Sequence, residues 1–109
     1  MIFNKTKNRV LAKEYSIYKG VFQAKGLMFS NKKAAVFPFS NPRKVSIHTI
    51  LVFYPIDIIL LDDKSRVIEK KENIAPYSFY KSEKEASLMI ELPSPSGKTV
   101  SLRDTISFK

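Results

Sequence analysis

His48 and Asp57 are the two residues of this chain best placed, by type and setting, to do chemistry. They stand nine positions apart in the most apolar stretch, "IHTILVFYPIDIILLDD" at residues 47–63, where His48 is the chain's only histidine and Asp57 is a lone carboxylate among isoleucines and leucines. An imidazole titrates near neutrality, and a carboxylate taken out of water is pushed the same way, so the pair could act as acid and base if the chain brought them within hydrogen-bond reach. Each also has a structural reading. His48 can be a partly buried ring bonded to main chain, and Asp57 can accept N–H groups left over where Pro55 interrupts a ladder, because an unpaired buried carboxylate costs several kcal/mol. The structural reading is preferred for both. With one histidine and no cysteine, a transition-metal site would have to be completed by carboxylates alone, so neither metal nor cofactor is expected. Asp62 and Asp63 sit in turn chemistry, "DDKS", where they are expected to cap a hairpin rather than hold an ion. "GKT" at 97–99 lacks the upstream glycine of a phosphate loop, and no G-x-S-x-G elbow exists for a serine nucleophile.

Charge supplies a second candidate chemistry. From Met1 to Lys44 ten lysines and arginines face one acid, Glu14, whereas Val45–Lys109 carries nine of each, so the whole surplus of +9 lies in the first third. Gathered on one face, Lys25, Lys32, Lys33, Arg43 and Lys44 would draw in a polyanion such as RNA. Lysine outnumbers arginine fifteen to four, which suits solvation better than bidentate phosphate recognition. Aromatics interleave with lysines at "YSIYKGVF" and "YSFYKSEK", the composition by which small barrels stack single-stranded nucleic acid, although in a β-rich chain most phenylalanines belong to the core.

The elements that must position these residues are strands. A chain of 109 residues makes one domain, 1–109, and buries a core without disulfides. Period-two alternation and β-branched residues dominate. "RVLAKEYSI" reads as an opening strand, and "YKGVFQAKGLMF" as one short helix cut off by its glycines. "AAVFPF" reads as a strand ended by Pro38, and "SNPRK" as a turn. "VSIHTILVFY" and "IDIILLD" are strands joined at the Pro55 bend, the second turning through "DDKS" into "RVIEKKENI" near a sheet edge. On that alternation Asp57 shares a face with Ile59 and Leu61, and Ile56, Ile58 and Leu60 take the other. "APYSFYKSEKEA" reads as a loop, "SLMIELP" as a strand, "SPSG" as a loop and "DTISF" as a last strand. The class is mainly β, a small single-domain β-barrel or β-sandwich. The longest uncharged apolar run is far short of the roughly 20 residues that span a bilayer, and no apolar leader opens the chain, which reads as cytoplasmic and free of membrane.

The series Gly26-Leu27-Met28-Phe29, "AAVFPF", "VSIHTILVFYPIDIILLDDKSRVIE", "SLMIELPSPSG" and "DTISF" resembles the archaeal branch of the domain of unknown function 192 family, from about Val10 onward. Ser30 stands where members of that family commonly have arginine, and Thr49 where methionine usually follows the histidine. The resemblance implies a compact, mostly β domain with no established activity, and it concentrates the special residues at Met28, Phe29, His48 and Asp57. The expected function is therefore non-enzymatic binding of a small ligand or protein partner near His48 and Asp57. The alternatives are RNA binding by the basic first third and acid–base hydrolysis by Asp57 with His48.

Overall fold

The computed structural model describes residues 1–19, 33–49 and 52–109. Eight strands run through them: β1 Ile2–Asn4, β2 Arg9–Ala12, β3 Tyr15–Ile17, β4 Ala34–His48, β5 Ile56–Leu61, β6 Val67–Ile74, β7 Phe79–Pro93 and β8 Ile106–Phe108. They form a three-stranded sheet, β2-β1-β8, and a five-stranded sheet, β3-β4-β7-β5-β6. All pairings are antiparallel except β3 with β4. The chain is mainly β, as its alternation implies, but the described strands make two open sheets and do not close into a barrel. No helix occurs among the described residues, and the short helix expected over Tyr18–Phe29 falls mainly on residues 20–32, outside them.

β5 shows why the apolar run 56–61 is a strand with no solvated face. It lies between β6 and β7, and all six of its residues are buried. Ile56, Ile58 and Leu60 join Ala35, Phe37 and Met89 in one cluster. Ile59 and Leu61 join Val36, Ile90 and Leu92 in a second, to which Ile2 of β1, Ile106 of β8 and Val100 are added. The small sheet thus covers the second face, and the two faces are those that the alternation assigns. β6 is the edge strand its charge pattern implies, and at the β5–β6 turn Asp62 Oδ1 accepts the amides of Lys64 and Arg66, each at 2.9 Å.

Several boundaries differ from expectation. "RVLAKEYSI" is two strands, β2 and β3, lying in different sheets, and β1 was not anticipated. β4 runs through "SNPRK" without a turn. Its register against β7 shifts between Pro38 and Arg43, so Pro38 borders a break in that ladder and Pro42 lies within it. Both prolines therefore fall where a missing N–H interrupts little. "VSIHTILVFY" is strand only as far as His48, and β7 begins at Phe79, inside the stretch read as a loop.

A buried polar node ties the two ends of the chain together. Asp104 Oδ2 accepts the Asn4 side-chain amide at 2.9 Å and the Ser101 N–H at 2.9 Å, and Lys7 Nζ lies 3.1 Å away. Burial would raise the Asp104 carboxyl, but the Ser101 amide, Asn4 and Lys7 outweigh it and hold it below the ordinary range. Asp104→Ala leaves the Asn4 amide without an acceptor in a fully buried position. Urea unfolding should show a loss of about 2–4 kcal/mol, and a midpoint within error of the parent's would mean the node is not structural.

Candidate functional site

Asp57 is buried completely and is fully engaged. Its Oδ1 accepts the Asn73 amide and its Oδ2 the Gly97 amide, both at 2.8 Å. The Asn73 donor exists because the β5–β6 register shifts between Ile56 and Ile58, a bulge at which Asn73 takes a φ of 54°. Asparagine tolerates that conformation better than most residues. The Gly97 donor comes from the turn after β7, and a Cβ at Gly97 would stand 3.0 Å from Asp57 Cβ and 3.1 Å from Oδ2. Main-chain donors hold the carboxylate, as expected. They come from a bulge in β6 and the "SPSG" turn rather than from the Pro55 bend. Asp57 has no surface accessible to a ligand.

His48 lies far from it. His48 pairs with Phe79, the first residue of β7, and Asp57 pairs with Leu92, the last but one. The strand that both flank separates them along nearly its whole length, so the structure does not bring the acid–base pair together. His48 is also exposed rather than half-buried, because β4 ends there. Thr49, next in the chain and 1 % exposed, organises the surrounding tip. Its N–H donates to Ser78 O, its carbonyl accepts the Val52 and Tyr77 amides, and its hydroxyl donates to Ala75 O while accepting the Ser78 amide at 2.7 Å. Tyr77 is held at a φ of 58°, a left-handed conformation rare for a bulky side chain.

The residue that sequence reasoning missed is Glu91. It sits on β7 opposite Ala35 of β4 and Ile58 of β5, on the face of the first apolar cluster, and is 7 % exposed. No described residue donates a hydrogen bond to its carboxyl, and burial pushes it up to about 7. Tyr54, also buried, stands close enough for the Glu91 charge to act on its hydroxyl. Burial raises that phenol, the Lys33 main-chain amide donates to it, and Tyr18 adds a further electrostatic contact. Tyr18 stacks on Phe37 with centroids 5.4 Å apart, and the Lys33 ammonium lies 5.9 Å from the Tyr18 ring. The signal was available: Glu91 is the only charge in "SLMIELP", as Asp57 is in "IDIILL". The arrangement can share or accept a proton at neutral pH and presents aromatic walls beside a carboxyl.

The remaining candidates divide. Met28, Phe29, Lys25 and Lys32 lie outside the described residues. Lys33 is at the entry to β4 beside Tyr18, whereas Arg43 and Lys44 lie further along that strand, opposite Ala86 and Glu85. The Arg43 guanidinium packs over the Phe39 ring at 4.3 Å. Lys33 is thus separated along β4 from the Arg43–Lys44 pair.

The chain matches the domain of unknown function 192, described as "Uncharacterized ACR", over residues 2–104. It belongs to that family. The match is to the DUF192 family as a whole and assigns no branch within it. Two crystal structures share the fold. A protein of unknown function from Novosphingobium aromaticivorans DSM 12444 is similar with a TM-score of 0.78 at 20% identity, over 85% of this chain and 74% of that one. A Sinorhizobium meliloti 1021 protein titled "putative transcription regulator" is similar with a TM-score of 0.85 at 18% identity, over 97% of this chain and 88% of that one. At such identities the likeness is one of fold alone. No curated protein matches the chain.

Proposed function

We propose that this DUF192 domain is a non-enzymatic binding module that takes a small ligand with a hydrogen-bond-donating head group at the Glu91 carboxyl, between Tyr54 and Tyr18. One observation carries the reading. A carboxyl nine-tenths buried, with no donor from any described residue, is a costly arrangement that a ligand donor would relieve. The tyrosine and Phe37 rings beside it favour an organic ammonium or guanidinium head, which gains from the carboxylate and from aromatic faces together. The reading keeps the expected class of function and moves the site from Asp57, which is fully buried and held by main-chain donors, to the acid on the opposite face of the same sheet. The hydrolase reading lacks a pair, because His48 and Asp57 flank opposite ends of β7.

Titrating the protein with propylammonium, guanidinium and acetamide, and following the amide resonances of Ala35, Ile58 and Glu91 by NMR, tests this directly. Millimolar amounts of one or both cations should shift these resonances, with little effect from acetamide. In Glu91→Gln the shifts should disappear. Equal shifts in parent and variant would overturn the assignment.

A further inference from the structure

Aromatic exposure in this chain is not scattered. Among the described residues the exposed aromatic side chains are Phe53, Tyr77 and Phe79, at 63%, 64% and 63%. All three are set by Thr49. The Tyr77 amide bonds its carbonyl, Phe53 follows Val52, whose amide bonds the same carbonyl, and Phe79 follows Ser78, whose carbonyl accepts the Thr49 N–H. His48 is the cross-strand partner of Phe79. The backbone that carries three large exposed rings is thus tied to one buried threonine at the end of the β4–β7 ribbon, with Tyr77 at a φ of 58° that its side chain disfavours. Rings left in water at this cost to the backbone are a prepared contact surface.

Beside this tip runs an open groove of about 530 Å³ lined by Glu69, Lys70, Lys71, Phe79, Tyr80, Lys81 and Glu83. Its charges are not equally available. The Glu69 carboxylate accepts the Tyr80 hydroxyl and the amides of Glu83 and Lys84. The Lys70 ammonium is turned to the Gly97 and Val100 carbonyls and to Glu72. Lys71 and Lys81 are exposed and make no ion pair with a described residue, which leaves the groove two free cations against Glu83.

We infer that the tip and groove form a binding surface for single-stranded nucleic acid, with bases stacked on Phe53, Tyr77 and Phe79 and the phosphate chain drawn along Lys71 and Lys81. Aromatic platforms beside a cationic groove are how unpaired strands are held without reading sequence, since every base offers a stacking face. A net charge of +9 adds long-range attraction for a polyanion. A duplex keeps its bases stacked on one another and gains only the phosphate contacts. The surface is distinct from the Glu91 carboxyl, which faces the interior of the other end of the sheet.

Fluorescence anisotropy of the full chain with a short labelled oligo(dT), an oligo(U) and a matched duplex tests the assignment. Both single strands should bind at low salt, bind more weakly as salt rises, and outcompete the duplex. Tyr77→Ser with Phe79→Ser should weaken binding roughly tenfold or more, the loss of one or two stacked bases. Lys71→Gln with Lys81→Gln should flatten the salt dependence, and Glu91→Gln should change nothing. The Tyr77, Phe79, Lys71 and Lys81 substitutions are on exposed side chains, and circular dichroism melts establish that all the variants fold. Absence of binding at low salt, equal preference for duplex, or undiminished binding by the folded aromatic variant would each overturn the inference. So would sedimentation showing that a second copy occupies the tip and is released by Phe53→Ser.

Discussion

Replacing Asp57 by alanine should lower the unfolding free energy by about 2–5 kcal/mol, because the Asn73 and Gly97 amides both lose their acceptor. The carboxylate is fully buried, and each of its oxygens accepts one main-chain N–H at 2.8 Å. Asp57→Asn keeps one acceptor oxygen and should fall between alanine and the parent. Gly97→Ala should be damaging for a complementary reason, since its Cβ would press on the Asp57 side chain at 3.0 Å. Urea midpoints of the three variants check the ordering. An alanine variant as stable as the parent would show that the bulge in β6 and the turn after β7 hold themselves in place.

Stability should fall as pH rises through neutrality, and Glu91 should be the cause. In the folded chain its carboxyl keeps its proton up to about pH 7, whereas the ordinary value is 4.5. Between those values the native state binds more protons than the unfolded one, so each step upward in pH favours unfolding, and the slope ends above the folded value. At 1.36 kcal/mol per pH unit the total from pH 4 to pH 8 is about 3 kcal/mol. Asp62 and Asp104 act with the opposite sign. Their carboxyls are held below the ordinary range, so their contribution is complete above it and is lost only in acid. Denaturation between pH 5 and pH 8 therefore isolates Glu91. Glu91→Gln should remove the slope and be the more stable protein at pH 8. A parent whose stability is flat over that interval would contradict the buried state of this carboxyl.

Much of the architecture was legible because it rests on pattern. The apolar run around Asp57 announced the strand β5 and its two faces, the alternation in β6 an edge, and "DDKS" the turn between them. The structural role of Asp57 was legible too, since an acid flanked by isoleucine and leucine on both faces must find donors. Its donors were not legible, because the Asn73 amide is freed by a bulge that exists only once β5 and β6 pair. The length of β4 was hidden by Pro38 and Pro42, which punctuate a sequence but are harmless where the ladder with β7 is already interrupted. The first half of β7 was hidden by its lysines and glutamates, solvated on an arm where strand pairing outweighs composition. Glu91 carried the same signature as Asp57, and only the structure distinguishes the acid with two donors from the acid with none among the described residues. His48 drew attention as a solitary histidine, but its burial depended on β4 continuing past it, which the strand does not do.

The strand order β3-β4-β7-β5-β6 fixes a timetable for the nascent chain. β4 and β5 never pair with each other, and the strand that fills the space between them is β7, which follows both in the chain. As the polypeptide emerges from the ribosome, the β5–β6 hairpin can close on its own, but its other edge and the long border of β4 stay unpaired until Phe79–Pro93 has been made. Insertion of that last central piece completes both ladders at once, so the five-stranded sheet matures late and as a unit, with its stickiest borders open during synthesis.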